Sequence, residues 1–304
     1  MDTIEGAPAE QEPARRRALH LIETEELETA ITAHVPTLRI VDMRGYVQTQ
    51  TQEDGVQTAV YRGAPEEYAV AHIPGAVYLD WTQDIVDLDA PVAAQVADAR
   101  KMQRVLQAAG IGNEHEIVLY DAHPASQFAT RLWWALRYYG HTQVRVLNGG
   151  WAKWTQEGRP TTDDVPSYPA AVFTPHLQPE WRATAEDVLE LLHAEGVLLL
   201  DARDADQYSG RIRRGKRGGH IPGARHLPRE AFFQPNGAFR TTPELAAIVQ
   251  ETGARPEERI VAYCNGGVAA TSALFVLSLL GFPHLTNYDG SWNEWTERTE
   301  LPIE

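Results

Sequence analysis

The chain has 304 residues, 43% of them hydrophobic, enough for a sizeable core and for two ordinary domains rather than one. Its formal net charge of −15 repels a polyanion on average, so nucleic acid is not an expected partner. No stretch approaches the roughly 20 apolar residues that cross a bilayer, and the one cysteine, Cys264, cannot form an intrachain disulfide, so a membrane is not expected and a reducing, cytoplasmic setting is.

The first residues, MDTIEGAPAEQEPARRRALH, mix acidic and basic side chains without an apolar centre or a cleavage site. They read as a flexible N-terminus over 1–18 rather than a signal peptide. LRIVD (38–42) is a short continuous β-branched run, the pattern of a parallel strand buried on both faces. HIPGA follows within AHIPGAVYLDW (71–81), then a second such strand, EIVLY, leading into DAHPASQFATRLWWALRYYGH, and then VRVLNGGWAKW (144–154). The stretch 158–181 carries Pro160, Pro166, Pro169, Pro175 and Pro179 and reads as a stiff extended linker.

Beyond it the pattern starts again. TAEDVLELLHAEG (184–196) is helical, with Thr184 as cap, Asp187 in the capping position and Gly196 as stop. VLLLDARDADQY (197–208) repeats the first strand, and GHIPGARHLPRE (219–230) repeats HIPGA. TPELAAIVQETG (242–253) is a helix with Thr242 as expected cap and Pro243 in its first turn. ERIVAYCNGGVAATSALFVLSLLGF (258–282) and LTNYDGSWNEW (285–295) complete a second set of the same blocks in the same order. The offset between copies falls from 159 at Asp42/Asp201 to 148 at His72/His220 and 141 at Trp151/Trp292, which places loop insertions mostly in the first half. Strands alternating with helices, written twice, predict an α/β protein of two tandem domains, each a mostly parallel sheet flanked by helices. The boundaries fall at 19–158, a linker over 159–181, and 182–304.

Cys264 stands between the strand RIVAY and a nearly all-apolar helix. Gly266 and Gly267 let the turn curl tightly, so that the N–H groups of residues 265–269 and the positive end of the helix form a cradle for an anion. The anion at hand is the cysteine's own thiolate, made nucleophilic at neutral pH. A lone cysteine is also commonly a small buried residue, and that reading competes. Among thiol chemistries, a phosphatase needs an arginine where Ala270 stands, and a thioredoxin-like enzyme needs a second cysteine where Gly267 stands. A persulfide carried on Cys264 fits better.

The doubled HIPGA, the cysteine loop in the second half only, and the closing NYDGSWNEW together resemble the two-domain sulfurtransferases of the rhodanese family, over about residues 19–300. The resemblance implies two rhodanese-like domains, with the first catalytically silent because Asp121 occupies the cysteine's place. It implies a thiosulfate or 3-mercaptopyruvate sulfurtransferase that takes sulfur from a small anionic donor and passes it to cyanide, a thiol or a thioredoxin-like acceptor. In that frame Asn265, Gly266, Gly267, Val268 and Ala269 cradle the substrate, and Arg203 holds its anionic end. Arg211 and Arg213, from the basic run RIRRGKR, are further candidates for that role, and His72 is a candidate for proton transfer. Asp121 and His123 as a separate site is a weaker alternative, and a non-catalytic persulfide-sensing or partner-binding scaffold is the rival from another class. The histidines and the cysteine show no metal-ligand spacing, and neither metal nor organic cofactor is implied.

Overall fold

The computed structural model describes residues 11–304, and two copies of one parallel sheet organise it. The first sheet runs in the order Leu21–Ile22, Val144–Leu147, Glu116–Tyr120, Leu38–Asp42, Ala76–Tyr78. The second runs Arg182–Ala183, Leu285–Tyr288, Arg259–Tyr263, Val197–Asp201, Arg225–His226, the same order of equivalent strands. The register is shared as well: Asp42 pairs with Tyr120 and Asp201 with Tyr263. The predicted α/β tandem is therefore the observed fold.

Small polar devices are duplicated with it. Asp42 and Asp201 each pin an arginine two residues on, Arg44 and Arg203, and each arginine stacks on a tryptophan ring at 4.3 Å, Trp151 and Trp292. His72 and His220 each bond a tyrosine carbonyl through Nδ1, Tyr68 at 2.7 Å and Tyr208 at 3.0 Å, and each stacks on that same ring. These pairs close each sheet at its carboxyl edge, where a buried charge persists only because it is paired and hydrogen-bonded.

Three expectations change. Of the N-terminus expected to be flexible over 1–18, residues 1–10 lie outside the described residues, but Gln11–His20 form a helix. It is tied down by Arg16 donating to the Leu280 carbonyl and Arg17 donating to those of Phe239 and Arg240, while His20 packs edge-on to Trp133 and Phe275. The helix over Thr242–Gln250 is capped by Thr241, not Thr242, because Glu244 accepts both the Thr241 N–H and its hydroxyl. The first-half excess between Asp42 and His72 is not a plain loop. It is an antiparallel hairpin, Gly45–Thr51 with Val56–Gly63, and the second half's Arg213–Arg214 adds to it as a parallel third strand. The alternation in YVQTQT and VQTAVY around Asp54-Gly55 carries that hairpin in the sequence.

The halves join through the helices Gln127–Tyr138 and Ala270–Leu280, each almost wholly buried. Thr130 meets Thr271 and Ser272 hydroxyl to hydroxyl at 3.0 and 3.1 Å. Beside them Arg131, fully buried, donates to the carbonyls of Gly267 and Ala94 and pairs with Asp289 at 2.6 Å. Arg131→Met leaves Asp289 short of its main partner, and urea unfolding should place the variant about 3–5 kcal/mol below wild type; equal stability would rule out this clamp as a structural requirement.

Candidate active site

Cys264 sits at the carboxyl end of the central strand of the second sheet, where ligands of open α/β sheets bind. It is 2% exposed. The turn after it is held from outside. Trp292 N–H donates to the Cys264 carbonyl at 3.0 Å, Asn293 N–H to that of Asn265 at 2.8 Å, and the Gly267 carbonyl accepts from Asn287 and Arg131. Gly267 has φ +71°, and a Cβ there would lie 2.5 Å from the Asp289 carbonyl oxygen, so only glycine fits. Ser291 accepts the Cys264 N–H at 3.1 Å and donates to the Tyr288 carbonyl. It does so at φ +54°, where the first half has Gly150 at +53°, so a hydroxyl is kept there despite the strained backbone. The repeat carries a signal for it, Gly-Ser-Trp against Gly-Gly-Trp.

The two halves treat the same cradle differently. In the first, the Asp121 carboxylate fills it, accepting the N–H groups of His123, Phe128 and Ala129, each at 2.8 Å. Burial raises this carboxyl to about 7 against those three donors. In the second, the N–H groups of residues 265–269 have no protein acceptor among the described residues, and the helix from Ala270 has no side-chain cap. The chain thus builds two helix-terminus anion cradles, occupies one with its own carboxylate and sets a thiol at the other.

A cavity of about 170 Å³ opens onto Cys264, lined by Asn265, Gly266, Val268 and Ala269 and, from elsewhere, by Tyr61, Trp81, His123, Gln127, Arg214 and Arg229. It lies between the halves, and Trp81 and Arg229 hold equivalent places after the two HIPGA blocks.

Several expected residues are elsewhere. Arg203 is buried, forked onto Asp201 and bonded to the Gly219 carbonyl, and does not line the cavity. Arg44 makes the matching contacts in the half without a cysteine, so this arginine serves the fold. Arg211 is exposed and paired with Asp206, and Arg213 points to Asp54. Strand alternation turns their neighbour Arg214 inward instead, where it donates to the Tyr61 hydroxyl at 3.1 Å. His72 is buried with its second nitrogen on the Asp164 carbonyl, leaving no ring nitrogen to move a proton. The cavity's histidine is His123. Its Nδ1 accepts the Ala125 N–H, so in the neutral ring Nε2 carries the proton.

Burial and the charge of Arg229 push His123 down to about 4, and burial with Arg137 does the same for His20. A histidine that protonates near 6.5 unfolded but near 4 folded contributes stability fully above pH 6.5, lost as pH falls toward 4. Urea unfolding at pH 7.5 and 4.5 should show His123→Asn losing about 2–3 kcal/mol less than wild type over that interval. The opposite contribution of Asp121 is common to both proteins and cancels; equal losses would mean that His123 titrates normally.

A family model described as the Rhodanese-like domain matches residues 25–157 and again 184–298. The sulfur carrier protein TtuD of Thermus thermophilus is 36% identical over 250 residues, spanning 78% of this chain and 86% of that one. The thiosulfate sulfurtransferase of Corynebacterium glutamicum is 35% identical over 249 residues, spanning 78% and 81%. Among solved structures, the 3-mercaptopyruvate sulfotransferase SseA from Escherichia coli matches with a TM-score of 0.77 at 28% identity, over 90% of this chain and 98% of that one. EanB in complex with ergothioneine matches with a TM-score of 0.81 at 25% identity, over 95% and 70%. With both halves matched, and with one strand–cysteine–helix cradle at the junction of two duplicated sheets, the chain belongs to the rhodanese family of sulfurtransferases.

Proposed function

We propose that Cys264 carries a sulfane sulfur from a small anionic donor, thiosulfate or 3-mercaptopyruvate, to a thiophilic acceptor, and that the first half is catalytically silent. The observation that supports this most is the contrast between the cradles: filled by Asp121 in one half, and in the other left with unpaired N–H groups beside the thiol.

In the first step the Cys264 thiolate attacks the outer sulfur of the donor. A sulfur–sulfur bond forms to the enzyme while the donor's bond breaks with its electron pair. Thiosulfate then leaves as sulfite; 3-mercaptopyruvate leaves as the enolate of pyruvate, which takes up a proton. The terminal sulfur carries the negative charge, and the N–H groups of residues 265–269 with the helix N-terminus stabilise it. In the second step cyanide or a thiolate attacks that sulfur, and Cys264 returns as thiolate. A neutral Cys-Asn-Gly-Gly loop brings no cation of its own, but Arg214 and Arg229 reach the cavity from outside the loop, so its neutrality does not exclude a dianion. A cavity of about 170 Å³ holds a donor of this size whole. A protein thiol, as on a thioredoxin-like acceptor, reaches it only on an extended segment.

Two measurements test the reading. Turnover with thiosulfate and with 3-mercaptopyruvate, using cyanide and a dithiol as acceptors, should be present in wild type and absent in Cys264→Ser. Donor without acceptor should add 32 Da to the wild-type chain and nothing to the variant. Folded protein that turns over neither donor leaves the scaffold reading instead. Arg214→Gln should raise the donor KM by about 10-fold or more, the scale of a charge-assisted hydrogen bond, with a smaller change in kcat.

A further inference from the structure

The hairpin Gly45–Thr51/Val56–Gly63 is the main insertion that distinguishes the first copy from the second, and the fold of the first sheet does not need it. It reaches away from its own half. At its base Gly45 packs so closely on Trp81 and the Arg62 carbonyl that a Cβ would lie 2.3 and 2.7 Å from them, and the Trp81 indole N–H donates to that carbonyl. At its tip Arg213 N–H donates to the Gly55 carbonyl, and Arg213–Arg214 pair with Val56–Gln57. It is therefore fixed at both ends, one in each half. Alternation along it sends Val60 to solvent and turns Val47, Gln57 and Tyr61 toward Cys264.

The polar side chains on that inner face are connected. Arg214 donates to the Tyr61 hydroxyl at 3.1 Å and lies 3.5 Å from the Gln57 side-chain amide oxygen, Oε1. Gln57 accepts from Gln207 at 2.7 Å, and Gln207 accepts from Asn265, the residue after the cysteine, at 2.9 Å. Asn265 Oδ1 is buried with no partner among the described residues. Nothing else among the described residues bonds the Arg214 guanidinium, which otherwise has the rotamer freedom of a long side chain to lose on binding.

We propose that this hairpin sets donor recognition: Tyr61 and Gln57 are positioning residues from the first half that hold the Arg214 guanidinium over Cys264 as the anchor for a donor's carboxylate or sulfonate. The chain Gln57–Gln207–Asn265 ties that anchor to the cysteine loop. The proposal rests on the sulfurtransferase reading and adds to it the residues that choose the donor.

The test uses the full chain with Tyr61→Phe, Gln57→Ala and Arg214→Gln, and with Tyr46→Phe as a control on the hairpin's outer face, where Tyr46 bonds Glu67. Steady-state kinetics are measured with both donors. Thiosulfate binding is also measured by calorimetry in the Cys264→Ser background, a readout independent of turnover. Tyr61→Phe and Gln57→Ala should weaken donor KM and thiosulfate binding by about 3- to 10-fold, the worth of one hydrogen bond. Discharge of the preformed persulfide by cyanide should stay unchanged, and Tyr46→Phe should match wild type. A change in the discharge rate with donor binding intact would overturn the proposal by making the role one in loop geometry. If Arg214→Gln weakens binding but neither hairpin variant does, Arg214 anchors the donor unaided and the hairpin proposal fails alone. If Arg214→Gln has no effect either, the anchor itself is wrong; if wild type turns over neither donor, the sulfurtransferase reading falls first.

Discussion

Arg131 is the interaction on which the rest depends. It leaves the helix of one half, crosses the interface fully buried, and spends its donors on the Gly267 carbonyl, the Ala94 carbonyl and the Asp289 carboxylate. Asp289 in turn accepts the Val96 N–H and pairs with Arg182. A guanidinium taken wholly out of water must be answered on several sides at once, and here the answers come from the cysteine turn, the loop over it and the strand end behind it. One buried ion therefore fixes the relation between the halves and the curl of the cysteine loop together. The half that carries no cysteine is in this sense a part of the candidate site.

Duplication also separates structural residues from functional ones. Arg203 and His72 are attractive candidates when each is seen once, a buried arginine near a cysteine and a histidine at a strand entry. Each has a twin in the other half making the same contacts, Arg44 and His220, and a group that works identically with and without the thiol serves the fold. The residues that differ between copies are the informative ones: Asp121 against Cys264, Gly150 against Ser291, Trp81 against Arg229, and the hairpin with no counterpart.

The two sheets, their parallel strands and the cysteine loop were legible because they rest on local signals, β-branched runs, a turn with two glycines, and a repeat. The cap lies at Thr241, one residue before the expected Thr242, because the Thr-x-x-Glu pattern starts there. The cavity walls were not legible. Arg214, Tyr61, His123 and Gln127 come from four separated stretches, and only the packing of the two halves brings them together. Even so, the basic run RIRRGKR contains a residue, Arg214, that lines the cavity. Choosing Arg214 over Arg211 and Arg213 needed the strand register with Val56–Gln57, a long-range pairing that a run of like charges does not reveal.

The lone cysteine also bears on what the proposed chemistry leaves behind. Cys264 is 2% exposed at the floor of the cavity, and the chain has no second cysteine to relieve it of a sulfur. On the proposed reading, a sulfur accepted from a donor would find no other thiol in the same chain to pass to, and the protein would act as a store whose contents persist until a suitable visitor arrives.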